Sequence, residues 1–409
     1  MELTAEERAM ALGERGDGAR MAMEIVAAAG RMLGAPRLVP IAGSHVDGCL
    51  YHGASGTLWC ERLARDARVA VPTTTNVGAL NLLRPDQCRL EGEERKLAYR
   101  LMVAHERMGC RPSWTCAPYQ AGARPSLGAQ IAWGESNAVA FANTVLGART
   151  NRYGDFLDIS CAVTGRAPYC GLHVDGARRA RLVVDVSGLP GDAIADPSFA
   201  PVLGAIIGRL AGDVVCAVTG IDAMAEDDLK GLCAGAASTG AVALVHVVGV
   251  TPEAPSLEAA LGGAEPEETV AVTAGMLSQT RARLSLAPDG PIDCVALGSP
   301  HFSAAQCRTL LRLASGRPFA VPVYVCTGRH VLDALAREGT MEALEALGAV
   351  PVIDTCVVVT PILPAAPGVM MTDSAKFAHY AMGNTGHRPV FGTLSECAAS
   401  ARAGRVVRL

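Results

Sequence analysis

Ile292-Asp-Cys-Val-Ala-Leu297 is a short apolar run, followed by Gly298-Ser-Pro-His301, an amphipathic stretch over 303–314 and a second apolar run over 321–326. A short apolar run, a turn, a helical period and another run mark a strand–helix–strand unit. The unit repeats in both directions along the chain. Downstream, 331–348 has helical spacing and 350–359 reads as a strand. Upstream, beyond a linker-like segment over 252–268, residues 182–186 and 214–218 read as strands either side of a helix over 200–210. Such alternation gives parallel sheets with crossover helices, whose ligands sit beyond the carboxyl ends of the strands. The predicted class is α/β. Two loops fall at such ends, Gly298 to His301 and Asp354-Thr355-Cys356.

Before Arg181 the rhythm differs. Residues 3–33 read as helices, with Thr4 and Glu7 forming a capping box. A glycine-rich loop over 42–56 then crowds His45, Asp47, Cys49, Tyr51 and His52 together, a density of reactive side chains that points to function. Residues 69–72 read as a short buried strand leading into Thr73-Thr-Thr-Asn76, and 91–108 as an amphipathic helix. Two prolines rule out regular structure over 110–119. Three regions are expected: 1–180, helical, loop-rich and catalytic; 181–290, α/β; and 291–409, α/β with the strand-end loops.

Length and composition bound the function. The 409 residues exceed one ordinary domain, and 19% charged against 50% apolar residues excludes a disordered chain. Forty-four glycines and 24 prolines recur without a period, which means many turns and not a fibre. A net charge of −4 with no basic block argues against nucleic acid as a partner. Fourteen cysteines with no CxxC pair, behind a polar N-terminus unlike a secretory signal, point to reduced thiols in a cytoplasm. Residues 231–251 carry no charge, yet Gly235, Ser238, Gly240 and His246 make them read as a helix end, a turn and a buried strand, so no membrane span is expected. No HExxH, Walker or GxSxG motif appears, and spacing alone leaves the chemistry open.

Polar and sulfur groups nevertheless fall at turns and strand ends: Cys116 with Tyr119, Glu135 with Ser136, Ser299 with His301, Cys356, and Ser374 with Lys376. Taken singly, any of these is as well explained as a turn residue, a surface cation or a buried thiol. They lie within a longer ordered set. It comprises His45-Val-Asp-Gly-Cys-Leu-Tyr-His-Gly53, Val71-Pro-Thr-Thr-Thr-Asn-Val-Gly78, Thr115-Cys-Ala-Pro-Tyr119, Trp133-Gly-Glu-Ser-Asn137, Ala142-Asn-Thr-Val-Leu-Gly-Ala-Arg-Thr-Asn151, Gly298-Ser-Pro-His301, Asp354-Thr-Cys356 and Ser374-Ala-Lys376. In this order, across nearly the whole chain, the segments resemble the aconitase X family, the divergent branch of the aconitase superfamily.

The resemblance implies an aconitase-like multi-layer body with parallel or mixed sheets, a dehydratase (hydro-lyase) that holds an iron–sulfur cluster and a small anionic hydroxy acid. A small swivel domain closes over that body, fused in some members and separate in others. The chain ends soon after the last matching segment, so the expectation is a large subunit lacking the swivel domain, with a small swivel-domain subunit as its partner. Carried over by position, Cys116 and Cys356 are cluster ligands, with Ser299 at the third metal position. Gly48, Cys49, Leu50, Asn76, Val77, Glu135, Ser136 and Lys376 line the substrate pocket, and His45, Glu135, Ser136 and Lys376 are the candidates for catalytic roles.

One position departs from part of the family: the mevalonate 5-phosphate dehydratase branch carries cysteine where this chain has Ser299. Cys294, on the same predicted strand, lies roughly 16 Å away at about 3.3 Å per residue. Cys307 lies roughly 12 Å along the following helix. The third ligand is therefore the Ser299 oxygen, a water or Cys49, and a two-iron, two-sulfur cluster is favoured over three- or four-iron forms. Serine here, with the 45–53 motif, resembles the bacterial branch that dehydrates cis-3-hydroxy-L-proline, losing the Cα proton and the 3-hydroxyl to give Δ1-pyrroline-2-carboxylate after tautomerisation. The proton acceptor is expected from the small partner, with His45 or His52 assisting. Competing readings are a mevalonate 5-phosphate dehydratase large subunit with a phosphate cradle around Gly48 and Asn76, a cluster-free RNA-binding body, and an iron-free thiol enzyme using Cys116 or Cys49 with a histidine.

Overall fold

The computed structural model of the chain describes all of residues 1–409. In the first region β1 (Ser44–Val46) is central and pairs in parallel with β2 (Thr73–Thr75) on one side and β3 (Ala132–Trp133) on the other. Helix α1 (Ser136–Thr144) leaves β3 almost directly, and α2 (Leu157–Thr164) packs against β1. The second region holds β4 (Leu182–Asp185), α3 (Phe199–Ala211), β5 (Cys216–Thr219), α4 (Glu226–Thr239), β6 (Val245–Val247) and β7 (Glu268–Ala271), in the all-parallel order β6-β5-β4-β7. Its two long helices touch backbone to backbone: a Cβ on Gly204 would lie 2.2 Å from the Leu232 carbonyl oxygen.

The third region holds β8 (Cys294–Phe302), α5 (Ala304–Ala314), β9 (Val323–Thr327), β10 (Ala349–Val352), β11 (Val369–Thr372), α6 (Ala375–Thr385), β12 (Arg388–Phe391) and α7 (Leu394–Ala403). Its sheet is again all parallel, in the order β10-β9-β8-β11-β12. From β8 the chain winds outward through β9 and β10, then returns to the other side for β11 and β12. The winding therefore reverses between β8 and β11, as it does between β1 and β3 in the first sheet. Crevices open at such reversals beyond the carboxyl ends. Ala375, Ala378 and Phe391 of the third region pack into the apolar core of the second, so the two share one interior. No helix is long and apolar enough to cross a membrane; 231–251 is the end of α4, a turn and β6, as its glycines predicted.

The strand–helix alternation stands as read, and the Thr4–Glu7 capping box is formed. Several local expectations do not hold. Residues 42–56 are not one loop, because Ser44–Val46 is the central strand of a sheet that short runs without alternation could not announce. The neighbouring strand is Thr73–Thr75 and not 69–72, since Pro72 has no N–H to give to a ladder. The linker-like 252–268 contains a short helix, Leu257–Leu261, and ends at an edge strand. The helix over 331–348 is broken at Gly339, which is left-handed. The strand over 350–359 ends at Val352, because Asp354 adopts φ 64° and its carboxylate receives both arms of the Arg329 guanidinium at 2.7 Å.

Candidate active site

A cavity of about 470 Å³ lies where the two reversals face each other, lined from the first sheet by Asp47, Asn76 and Glu135 and from the third by Ser299, Cys356 and Lys376. Each side chain arrives by a local rule. Asp47 follows the last residue of β1, Asn76 the last residue of β2, and the Asn76 N–H donates to the Val46 carbonyl at 2.8 Å. Glu135 is the N-cap of α1: its Oε2 accepts the Ala138 N–H at 2.6 Å, and its Oε1 accepts the Ser136 hydroxyl at 3.2 Å and bonds the Lys376 ammonium. Lys376 sits in the first turn of α6, capped by Ser374, whose hydroxyl donates to the Ser299 carbonyl. Burial alone would push Glu135 up, but the Lys376 ammonium and the helix-end N–H groups outweigh it and hold the carboxylate below its ordinary range. Burial would lower Lys376, and Glu135 more than reverses this.

The two thiols are held by a third buried group. The His301 N–H donates to Cys116 Sγ at 3.2 Å, the Thr115 hydroxyl meets its Nδ1 at 3.0 Å, and its Nε2 meets the Thr355 carbonyl at 3.1 Å. The carbonyl fixes the proton on Nε2, so Nδ1 accepts from Thr115 and the ring stays neutral, its pKa driven down to about 3 by burial. One imidazole thus ties the Cys116 loop and the Cys356 loop to the end of β8. Beside Cys356 lies Cys326, the penultimate residue of β9. The neighbouring Cys326 thiol holds Cys356 below the ordinary thiol range, while burial and the Cys356 sulfur push Cys326 up. Burial raises Cys116 to about 12, the Glu135 charge adding to it and Lys376 opposing. Gly298 is required here: its φ is 87°, and a Cβ would lie 2.0 Å from the Cys326 carbonyl oxygen.

Of the residues singled out from the sequence, Leu50, Asn76, Val77, Cys116, Glu135, Ser136, Ser299, Cys356 and Lys376 line this one cavity. His45, Gly48 and Cys49 do not. His45 is fully buried in β1, bonded through Nδ1 to the Thr74 hydroxyl at 2.8 Å and packed on Trp133, behind the cavity wall and not among its lining residues. The Cys49 thiol points at the carbonyls of Val46 and Asn76, at 3.4 and 3.3 Å, and is not placed to be a third ligand or a substrate contact. The Gly48 N–H is spent on Asp158 Oδ2 at 3.1 Å. Cys294 and Cys307 are buried in the apolar core, and His52 lines an adjoining cavity with Arg89 and His387. Neither Cys49 nor Cys116 has an imidazole beside its sulfur; the thiol–imidazole contact in the chain is Cys60 with His105, at 3.9 Å and away from the cavity. This removes the thiol-nucleophile reading as it was framed. Sequence reasoning passed over Cys326, Arg152, Tyr153, Tyr380 and Asn384, whose only signal was proximity to the quoted motifs, and left Asp47 without a role.

The donor set fits an iron–sulfur cluster. Two cysteines and a serine whose hydroxyl makes no bond within the chain open into one cavity, and no third cysteine, histidine or carboxylate joins them in a closed ligand cage.

Comparison with known proteins agrees with this architecture. Consecutive sequence profiles match the aconitase X first domain at residues 1–176, the second domain at 180–282 and the third domain at 292–403. A cis-3-hydroxy-L-proline dehydratase of Pseudomonas aeruginosa is 40% identical over 98% of this chain and 70% of its own length. The phosphomevalonate dehydratase large subunit of Methanothermobacter thermautotrophicus is 37% identical over 95% of this chain and 96% of its own. The crystal structure of holo-form aconitase X from Thermococcus kodakaraensis superposes with a TM-score of 0.88 at 30% identity, covering 98% of this chain and 100% of that one. Matched in sequence through three successive domains and in fold along almost its full length, this chain belongs to the aconitase X family.

Proposed function

We propose that the chain is a hydro-lyase that removes water from cis-3-hydroxy-L-proline, giving Δ1-pyrroline-2-carboxylate. The observation that carries this reading is the meeting, in one cavity, of two thiols, a free serine hydroxyl, the Glu135–Lys376 pair and the Asp47 carboxyl. The 40% identity to a dehydratase named for that substrate supports the choice of substrate. Cys116, Cys356 and Ser299 would hold an iron–sulfur cluster, favoured as two-iron, two-sulfur, which supplies a Lewis acid for the departing hydroxyl. The chain's own groups do the rest. Lys376, kept charged by Glu135, presents a compact cation to the cavity, and Asn76 and Ser136 add hydrogen-bonding groups to its lining. His301 fixes the spacing of the two cysteine loops and moves no proton itself.

The cavity is open on one side, and excluding water there requires a closing element. A small swivel subunit is proposed for that role, bringing the acceptor for the Cα proton; that a relative is a large subunit supports a separate partner. Dehydration of mevalonate 5-phosphate is the second reading, favoured by the 37% identity to a phosphomevalonate dehydratase large subunit. The test is to offer both substrates to the anaerobically purified chain with its small partner. Release of pyrroline carboxylate is expected; turnover of the phosphate ester alone, or full activity in colourless, iron-free protein, would overturn the reading.

A further inference from the structure

Two charged groups on the cavity wall, Asp47 and Arg152, have no ionic partner within the chain. Asp47 bonds Asn76 Nδ2 through Oδ1, while its Oδ2 accepts nothing. Arg152 lines the same cavity and makes neither an ion pair nor a hydrogen bond. The other pair on the wall, Glu135 and Lys376, is committed to itself. Loop 152–155 lies against the end of β1, since a Cβ on Gly48 would come 3.6 Å from Asp155 Cα, so the free carboxylate oxygen and the free guanidinium belong to adjacent segments.

The surroundings of Asp47 are short of cations. The neighbouring acids are Glu135, Asp155 and Asp158, the last accepting the Asp47 N–H at 2.6 Å. Burial and the Glu135 charge raise Asp47 to about 7, Asn76 and Lys376 offsetting only part, so a ligand bringing its own cation would be held in place by relieving this cost. An imino acid brings one. Its ring ammonium and its carboxylate both sit on Cα, a positive and a negative charge one bond apart from a common atom. A phosphorylated hydroxy acid carries negative charge only and would set its anionic groups against Asp47.

We propose that Asp47 is the residue that recognises the ring ammonium of the substrate and so selects an imino acid, with Arg152 facing the substrate carboxylate. This rests on the hydroxyproline reading above and assigns the site its substrate class: a zwitterion with a secondary ammonium.

The test is calorimetric binding to the full chain of two dead-end ligands that share ring and carboxylate: L-proline, and (S)-tetrahydrofuran-2-carboxylate, in which oxygen replaces the ammonium. A charge-assisted hydrogen bond predicts that the native chain prefers L-proline roughly 10- to 100-fold. Asp47→Asn should bring the ratio to about one by weakening L-proline alone, and Asp47→Glu should keep part of it. Arg152→Gln should weaken both ligands and leave the ratio unchanged. If Asp47→Asn does not fold, Asp47→Ser reads the same ratio. A preference that survives in a folded Asp47→Asn or Asp47→Ser protein overturns the assignment. Wild-type turnover, measured in parallel, separates the two failures: turnover with an unchanged ratio sinks Asp47 alone, whereas neither turnover nor proline binding sinks both.

Discussion

Replacing Glu135 by glutamine isolates one charge in the site. The side-chain exposures of Glu135 and Lys376 are 6% and 13%, so each desolvates the other almost completely. Glutamine can still accept the Ala138 N–H and cap α1, so the helix start is retained. What is lost is the counter-charge of a buried ammonium, and Lys376, with burial now dominant, falls below its ordinary pKa. Removing one partner of a buried pair costs about 3–5 kcal/mol, most of it the unpaired charge. Over the 409 residues of this chain that is a drop in melting temperature of about 4–6 °C. Replacing both residues, Glu135→Gln with Lys376→Met, removes the orphaned charge and should recover more than half of the loss, because an apolar substitute for a buried pair is close to neutral. Differential scanning calorimetry on the two single variants and the double variant gives the cycle. If the double variant melts no higher than Glu135→Gln, or if Glu135→Gln melts within about 2 °C of the parent, the reasoning about this pair is wrong.

Two further outcomes follow from the thiol and histidine environments. Cys326→Ala removes the neighbouring thiol that keeps Cys356 low, so reconstitution with iron and sulfide should need higher pH, on the order of one unit, while Cys356→Ala should abolish the coloured species altogether. An unchanged pH midpoint of iron loading in Cys326→Ala would exclude this influence of Cys326 on Cys356. His105 is buried, with Nδ1 on the Leu101 carbonyl at 2.9 Å, and burial drives its pKa down to about 4. Between about pH 6.5 and 4 the unfolded chain therefore binds a proton that the folded chain refuses, so this histidine's contribution to stability is complete above pH 6.5 and falls as pH drops. The loss amounts to about 3 kcal/mol, and His105→Gln should flatten the dependence of the urea midpoint on pH by that amount.

How far the sequence speaks differs between the two halves of the site. In the third region, short apolar runs separated by helical periods pair in parallel through crossover helices, so the sheet was legible in advance, although Gly298–His301, read as a loop, continues β8 to Phe302 with its register shifting there. In the first region the strands are two or three residues long, too short for any period, and only the fold shows that Asp47, Asn76 and Glu135 leave adjacent strands on one edge. Residue type likewise named candidates without giving direction. Cys49 and Cys116 are alike in the sequence. One thiol turns to carbonyls behind the wall, while the other opens into the cavity, where the His301 N–H, 185 positions away, donates to its sulfur. The sequence by itself determined the class, the family and a set of residues able to hold iron and an anion. Only the tertiary structure decided which of them face one another, and it alone exposed the unpaired oxygen of Asp47, because pairing is a property of positions in space and leaves no mark on the order of residues.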